Sequence, residues 1–485
     1  MLTFVNLLLR FVGTAFQVYI SGRLGAAGVG LLQLVMSVGS LATVAAIGGI
    51  RTAAMYLTAE ELGKKREKNV FHVLSGCFLY SILLSGTVSG GLYLLAPRIA
   101  RYWIGEEATL DALRLFAAFL PVSCLCAVMT GYFTAANRIG TLAAVEIAEQ
   151  LASMAVTLVL LTCWAGTDPG RSCMSVILGS AAGACLTLVC LVFLRIRERP
   201  EPGEAIALRS RLLHTAVPLA LADVLKSGIT TTENLMVPKR LALNRRIPDP
   251  LAAFGCLSGM VFPVVMFPAC ILFGLGELLI PELARCAAAG SRERIRYLVK
   301  RSLKAAMVYG LLMGGLLALT GESLCLRLYH NDTAGRMLKG YALLVPMLYC
   351  DALTDAMTKG LGQQKACVRY NILTSAMDVV FLYILLPRYG MEGYFVSFFV
   401  THLLNFLLSL RRLLKISGVQ LPFHIPALAL SAALVSLMLS STVHSMFFRC
   451  IAFPALLLST LTLCGILQKE DAAWMRRLAF PGLHP

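Results

Sequence analysis

Residues 174–194 read MSVILGSAAGACLTLVCLVFL, a run without a charged side chain. A helix of about 20 apolar residues crosses the hydrocarbon core of a bilayer and satisfies every backbone amide internally. Outward from this run the pattern recurs about fourteen times, from 2–21 and 29–57 near one end to 422–440 and 448–467 near the other. The expected fold class is therefore all-α, a polytopic membrane protein with about 14 transmembrane helices. The totals agree: 58% of the 485 residues are hydrophobic, 14% are charged, and the mean hydropathy is +0.76. Ordinary globular domains hold about 25% charged residues.

The net charge of +17 invites a nucleic-acid reading, but its placement argues for membrane orientation instead. With a cytoplasmic N-terminus, basic residues in the inner connectors outnumber those in the outer ones about two to one, the positive-inside bias. Both termini are then expected inside. Lys64, Lys65, Arg66 and Lys68, the run from Arg195 to Arg211, and Arg285 to Lys304 form the densest inner clusters. Lys239, Arg240, Arg245 and Arg246 break the rule. The fifteen cysteines lie mostly within apolar stretches without zinc or thioredoxin spacing, so they read as small buried hydrophobes. Met1–Ile20 has no charged leader or cleavage site and reads as a retained span.

An internal repeat is visible. Pro121 and Pro346 lie about 225 residues apart, an offset that places Gly49 on Gly274 and Lys64–Lys68 just ahead of Arg292–Arg296. The expected division is a six-helix lobe over 1–213, a second over 214–415, and two additional helices with a short tail over 416–485. Parallel repeats of this kind place a substrate site between halves that rock against each other. Gly86/Gly90, Gly179/Gly183, Gly255/Gly259 and Gly310/Gly314 have the small-xxx-small spacing of close helix contacts. The second span carries Gly48-Gly49 and is expected to bend there or to continue toward Glu61.

Function is sought among the charges inside the spans, since each costs about 2.5–3.5 kcal/mol at the bilayer centre. Arg10 lies in the middle of the first span and Arg51 in the second. Asp223, Lys226, Thr230 and Glu233 share one face of the seventh. Asp351, Asp355 and Lys359 share a face of the tenth, and Asp378 lies within the eleventh. Asp223 with Lys226 and Asp355 with Lys359 can neutralise each other along their own helices. Arg10 and Arg51 have no acid one turn away and suit an anion-accepting cavity, because a guanidinium stays charged and grips phosphate bidentately. The substrate-binding candidates are therefore Arg10, Arg51 and Lys226. Asp223, Glu233, Asp351, Asp355 and Asp378 are the coupling or cavity candidates. No phosphate-binding loop, metal-ligand spacing or catalytic set stands out, so neither an enzyme nor a cofactor is expected, and coupling to Na⁺ or H⁺ stays open.

Several motifs resemble a known family. They are Asn6-Leu-Leu-Leu-Arg10, Gln17-Val-Tyr-Ile-Ser21, Leu24-Gly25-Ala-Ala-Gly28-Val-Gly30, Gly49-Ile-Arg51 through Ala59-Glu60-Glu61-Leu-Gly63, and Glu233-Asn-Leu-Met-Val-Pro238-Lys-Arg240-Leu. The chain resembles the stage V sporulation protein B family over essentially its full length. That family sits in the multidrug/oligosaccharidyl-lipid/polysaccharide exporter superfamily, which also holds the lipid II flippases. The resemblance implies a flippase moving an undecaprenyl-pyrophosphate-linked glycan outward for cell-wall, spore-cortex or surface-polysaccharide synthesis. It further implies a bacterial cytoplasmic membrane, a lipid-linked glycan and membrane lipids as partners, cell-wall synthesis machinery nearby, and no nucleic acid. Arg10 and Gly13 match the lipid II flippases, but where those continue with an arginine and an aspartate this chain has Phe16 and Gln17. The alternative is a cation-coupled small-molecule antiporter of the same fold, which would depend on the aspartates. A glycosyltransferase would need larger loops than these connectors. A scaffold would tolerate loss of every buried charge.

Overall fold

The computed structural model describes residues 2–64, 66, 68–166, 168–197, 208–420, 422, 424–442 and 445–468, and for 2–8, 10, 208–219 and 222 the backbone alone. Lys65, most of the Arg195–Arg211 run and the C-terminal tail thus lie wholly or partly outside the described residues.

The described elements are helical. They are α1 (Leu2–Ile47), α2 (Ile50–Gly63), α3 (Asn69–Arg98), α4 (Leu110–Ala135), α5 (Ile139–Cys163), α6 (Pro169–Arg197), α7 (Leu208–Leu241) and α8 (Pro250–Cys256). Next come α9 (Phe262–Met266), α10 (Cys270–Ala288), α11 (Arg292–Tyr329), α12 (Asp332–Ala342) and α13 (Val345–Gly360). The chain continues through α14 (Gln364–Tyr389), α15 (Met391–Ser417), α16 (His424–Ser441) and α17 (Met446–Leu463).

Ten described helical segments are long and apolar enough to cross a membrane, and eleven when the interrupted pair Pro250–Met266 and Cys270–Ala288 counts as one. The count differs from about fourteen for identifiable reasons. The spans expected at 2–21 and 29–57 run on through α1 into α2 and count as one segment, Phe11–Gly63, with α1 interrupted where Gly25 adopts φ 69° and ψ 174°. Helix α7, of which 208–219 and 222 are described by the backbone alone, stands outside that count. The tenth expected span is divided into α12 and α13 at Leu343–Leu344. Gly48 (φ 47°) and Gly49 (φ 70°) separate α1 from α2, a left-handed pair that an L side chain would strain.

The chain divides into two compact units, Met1–Gly259 with Leu382–Gly390, and Met260–Phe381 with Met391–Pro485. In the first, Ile50, Ala53, Ala54 and Leu57 of α2 pack with Val70, Val73, Leu74 and Cys77 of α3 and Val128, Met129, Tyr132 and Phe133 of α4. Helix α8 lies against α1 so closely that a Cβ on Gly255 would sit 1.9 Å from the Ala26 carbonyl oxygen. Ser21 Oγ donates to the Gly259 carbonyl at 2.8 Å. Helix α7 docks on α1 through Thr231 and Asn234, which donate at 3.0 Å to the Ser37 carbonyl and hydroxyl respectively.

In the second unit the carbonyls around the α9–α10 break accept phenol protons. Tyr349 donates to Val265 at 2.8 Å and Tyr309 to Pro268 at 2.9 Å, which is how interrupted backbone is tolerated away from water. Phe453 of α17 is fully buried and fills the place where a Cβ on Gly315 of α11 would sit, 2.0 Å from its ring. Together with Leu457, Leu461 and the alanines of α16 it ties the last two helices to α11.

Three of the four small-xxx-small pairs are contact surfaces. A Cβ on Gly179 would fall 1.9 Å from Thr157 Oγ1, and one on Gly310 would fall 2.7 Å from Pro346 Cα. Gly86 and Gly90 have open space around them, so their spacing does not mark a contact among the described residues.

Candidate functional site

The first unit holds a cavity of about 510 Å³ between α1, α5 and α6. Helix α5 brings Glu146, Glu149, Gln150, Ser153 and Thr157 to it, at the three- and four-residue steps that keep side chains on one helical face. Helix α1 contributes Leu9, Gly13, Phe16, Gln17 and Ile20, and α6 contributes Val176 and Ser180. The α5–α6 approach that forms this wall depends on Gly179 and Gly183, where added Cβ atoms would meet Thr157, Ser153 and Glu149. Gly13 admits the Gln150 amide in the same way, with Nε2 2.9 Å from a would-be Cβ.

The two carboxylates are held differently. Thr187 Oγ1 donates to Glu149 Oε2 at 2.7 Å. Glu146 accepts no hydrogen bond and forms no ion pair among the described residues. The more distant charge of Arg51 attracts it and that of Glu149 repels it. Arg51 is exposed on α2 and joins no ion pair among the described residues. Arg10 lies in α1, one residue from the cavity-lining Leu9, but its side chain is outside the described residues. The structure therefore brings Arg51 into electrostatic range of a cavity whose acidic wall the sequence reading missed. The signal was present as the carboxylates Glu146 and Glu149 with Gln150, Ser153 and Thr157 at helical spacing.

Along α7, Asp223 and Lys226 are exposed and form no ion pair with each other, so the intrahelical pairing open to them is not made. Thr230 donates to the Lys226 carbonyl at 3.3 Å, and Glu233 is half-buried one turn on. At the C-terminal end of α7, Lys239 donates to the Tyr102 carbonyl and Arg240 lies 3.2 Å from the ring centroid of Tyr383. These contacts give two of the four rule-breaking basic residues structural partners.

The second unit gathers the remaining aspartates on a polar ladder. Ser397, Thr401, Asn405 and Ser409 follow one another at four-residue intervals on α15. Ser397 donates to Asp378 at 2.5 Å and Thr401 donates to the same oxygen at 3.2 Å. The Asn405 amide donates to both oxygens of Asp351, at 3.2 and 3.1 Å. Ser409 reaches Asp355 at 3.5 Å, and Lys359 pairs with Asp355 at 3.2 Å. The intrahelical Asp355–Lys359 pair is thus formed. Asn405 Oδ1 and Thr354 Oγ1 are buried without a partner among the described residues. No group of three or more His, Cys, Asp or Glu suited to a metal occurs among the described residues.

Residues 1–238 match the model of a family described as "Polysaccharide biosynthesis protein". Stage V sporulation protein B of Bacillus subtilis (strain 168) is 19% identical over 389 residues, spanning 78% of this chain and 75% of that protein. Among solved structures, an inward-facing multidrug resistance MATE family transporter of the MOP superfamily aligns with a TM-score of 0.69 at 13% identity, covering 86% of this chain and 98% of that one. The lipid II flippase MurJ in an inward closed conformation aligns with a TM-score of 0.67 at 12% identity, over 94% and 97%. A MOP superfamily transporter from Pyrococcus furiosus aligns at 0.59 with 14% identity, over 86% and 94%. Over its first 238 residues the chain carries the sequence pattern of polysaccharide biosynthesis proteins, and its helices adopt the fold of the MOP superfamily transporters.

Proposed function

We propose that this protein is a membrane flippase that moves a prenyl-pyrophosphate-linked oligosaccharide from the inner to the outer leaflet of the bacterial cytoplasmic membrane by alternating access. Both termini face the cytoplasm, and the glycan is a precursor of cell wall, spore cortex or surface polysaccharide, delivered to the machinery that polymerises it. The two halves that alternate are 1–213 and 214–415, with 416–485 as an addition. The observation that carries the reading is Arg51, a cation in a transporter fold that joins no ion pair among the described residues. Without a carboxylate in ion-pair contact, its planar fork can grip a phosphate. Arg10 and Lys226 extend the cationic lining.

The energetics are sufficient without a nucleotide. A pyrophosphate of charge near −2 leaving a cell that is negative inside gains roughly 4–5 kcal/mol at 100 mV, since each charge contributes about 2.3. The test is translocation of a defined prenyl-pyrophosphate sugar in reconstituted vesicles with potentials of either sign. Outward movement should be faster with a negative interior, and the Arg10→Ala, Arg51→Ala double variant should lose tenfold or more. Wild-type rates in that variant would overturn the reading.

One observation favours a second reading, the cation-coupled exporter. Asp351 and Asp378 are each held by uncharged donors on α15, which leaves their charge available to a proton or a small cation. In that case neutralising the acids abolishes export and removing the arginines does not.

A further inference from the structure

The cavity between α1, α5 and α6 is lined by Glu146, Glu149, Gln17, Gln150, Ser153 and Phe16, a set that a phosphate site would not contain. We propose that it binds a sugar ring of the transported headgroup. This deepens the flippase reading and rests on it: the arginines would take the diphosphate and this cavity the carbohydrate.

The chemistry of the wall selects hydroxyl groups over the other candidate ligands. A phosphate needs donors and would face two carboxylates. A bare cation needs acceptors and would leave the amide donors of Gln17 and Gln150 idle. A hydroxyl both donates and accepts, so sugar hydroxyls can donate to the carboxylates of Glu146 and Glu149 and accept from the amides beside them. Phe16 supplies the remaining element, an aromatic face with its negative quadrupole for the apolar C–H face of the ring. Tyr19 stacks on Phe16 at 6.5 Å between centroids and 15° between planes, which supports the ring's orientation. The volume of about 510 Å³ falls within the roughly 300–1,000 Å³ of small-ligand sites.

Burial separates this wall from ordinary packing. Glu146 is half-buried within a helix apolar enough to cross a membrane and lacks a hydrogen-bond or ion-pair partner among the described residues. A carboxylate so placed is costly unless it faces water or a ligand. The cavity satisfies that requirement, and Gly13, Gly179 and Gly183 keep its walls in place.

The experiment uses the full chain in proteoliposomes with two lipids that share one prenyl-pyrophosphate, one bare and one bearing a disaccharide. The Glu146→Gln, Glu149→Gln double variant and the Phe16→Leu variant should each lose tenfold or more in moving the sugar-bearing lipid relative to the bare lipid. Arg51→Ala should slow both lipids. A parallel arm follows alkylation of Ser153→Cys by mass spectrometry of its own peptide, so the native cysteines do not interfere. The sugar-bearing lipid should protect that thiol and the bare lipid should not. Equal losses for both lipids, or equal protection by both, would overturn the proposal while leaving the flippase reading standing. If wild-type protein moves neither lipid, the flippase reading fails. Protection of Ser153→Cys by the free disaccharide then decides the cavity alone: protection supports a sugar site and its absence overturns it.

Discussion

Gly179→Ala and Gly86→Ala make the same chemical change in the same small-xxx-small motif, and the structure assigns them opposite outcomes. A methyl at 179 would lie 1.9 Å from Thr157 Oγ1, 2.7 Å from the Ser153 carbonyl oxygen and 3.1 Å from Thr157 Cβ. One of those contacts is with backbone, so a rotamer change cannot relieve it and α6 must move away from α5. Overpacking of this kind costs about 1–3 kcal/mol, a fall of roughly 2–8 °C in melting temperature at a few degrees per kcal/mol. At Gly86 nothing lies within 4 Å, and alanine there should be neutral or stabilising by about 0.5–1 kcal/mol through helix propensity. Thr157→Ala supplies the internal control. Its hydroxyl donates within its own helix to the Ser153 carbonyl at 2.7 Å, so its loss alone is mild. Combined with Gly179→Ala it removes the 1.9 Å contact and leaves the 2.7 Å one, which should restore about half of the loss, a coupling near 1 kcal/mol. The assay is thermal unfolding of the detergent-solubilised chain at one fixed scan rate, read by monodispersity after heating. Equal melting shifts for Gly86→Ala and Gly179→Ala, or no recovery in the double variant, would refute the reasoning.

Other substitutions probe the remaining contacts. Asn405→Leu removes both donors to Asp351 and should cost about 1–3 kcal/mol, while Asp351→Leu added to it should recover most of the loss; both are read by thermal unfolding. Phe453→Ala opens a void against Gly315 and should cost about 3–5 kcal/mol locally, seen as faster proteolysis between α16 and α17. Tyr383→Leu removes the ring beneath Arg240 and should cost about 0.5–2 kcal/mol, with Tyr383→Phe close to wild type in the same melt.

Much of the fold is legible in the sequence because the bilayer imposes a length on every span. The hydropathy of 174–194 alone predicts α6, and Gly48-Gly49 marks the α1–α2 break. The interruption within the tenth expected span is not legible, because Leu343 and Leu344 are as apolar as any helix interior. Packing is the weaker signal. Gly86/Gly90 and Gly179/Gly183 are the same pattern in sequence, and neighbours more than twenty residues away decide which pair makes contact. The candidate site divides in the same way. Arg51 and the aspartates are conspicuous because charge is scarce in apolar runs. Glu146 and Glu149 were equally visible, yet their meaning depends on α1 and α6 leaving room beside them. The α15 ladder shows in sequence as a four-residue recurrence, but its aspartates lie 19 to 54 residues away.

Glu146 and the aspartates facing α15 are placed differently, and that difference bears on which acids can act. Asp351 and Asp378 meet an amide or hydroxyls of α15, and removing a partner there leaves a polar group less well compensated, the costly case for a polar network. Such groups hold structure together even where they also bind an ion, so loss of transport on mutating them is ambiguous unless stability is measured alongside. Glu146 has no partner to abandon. Replacing it orphans no hydrogen-bond or ion-pair partner among the described residues. A transport defect at Glu146 with an unchanged melting temperature therefore reports on what enters the cavity, which the aspartates of the ladder cannot do.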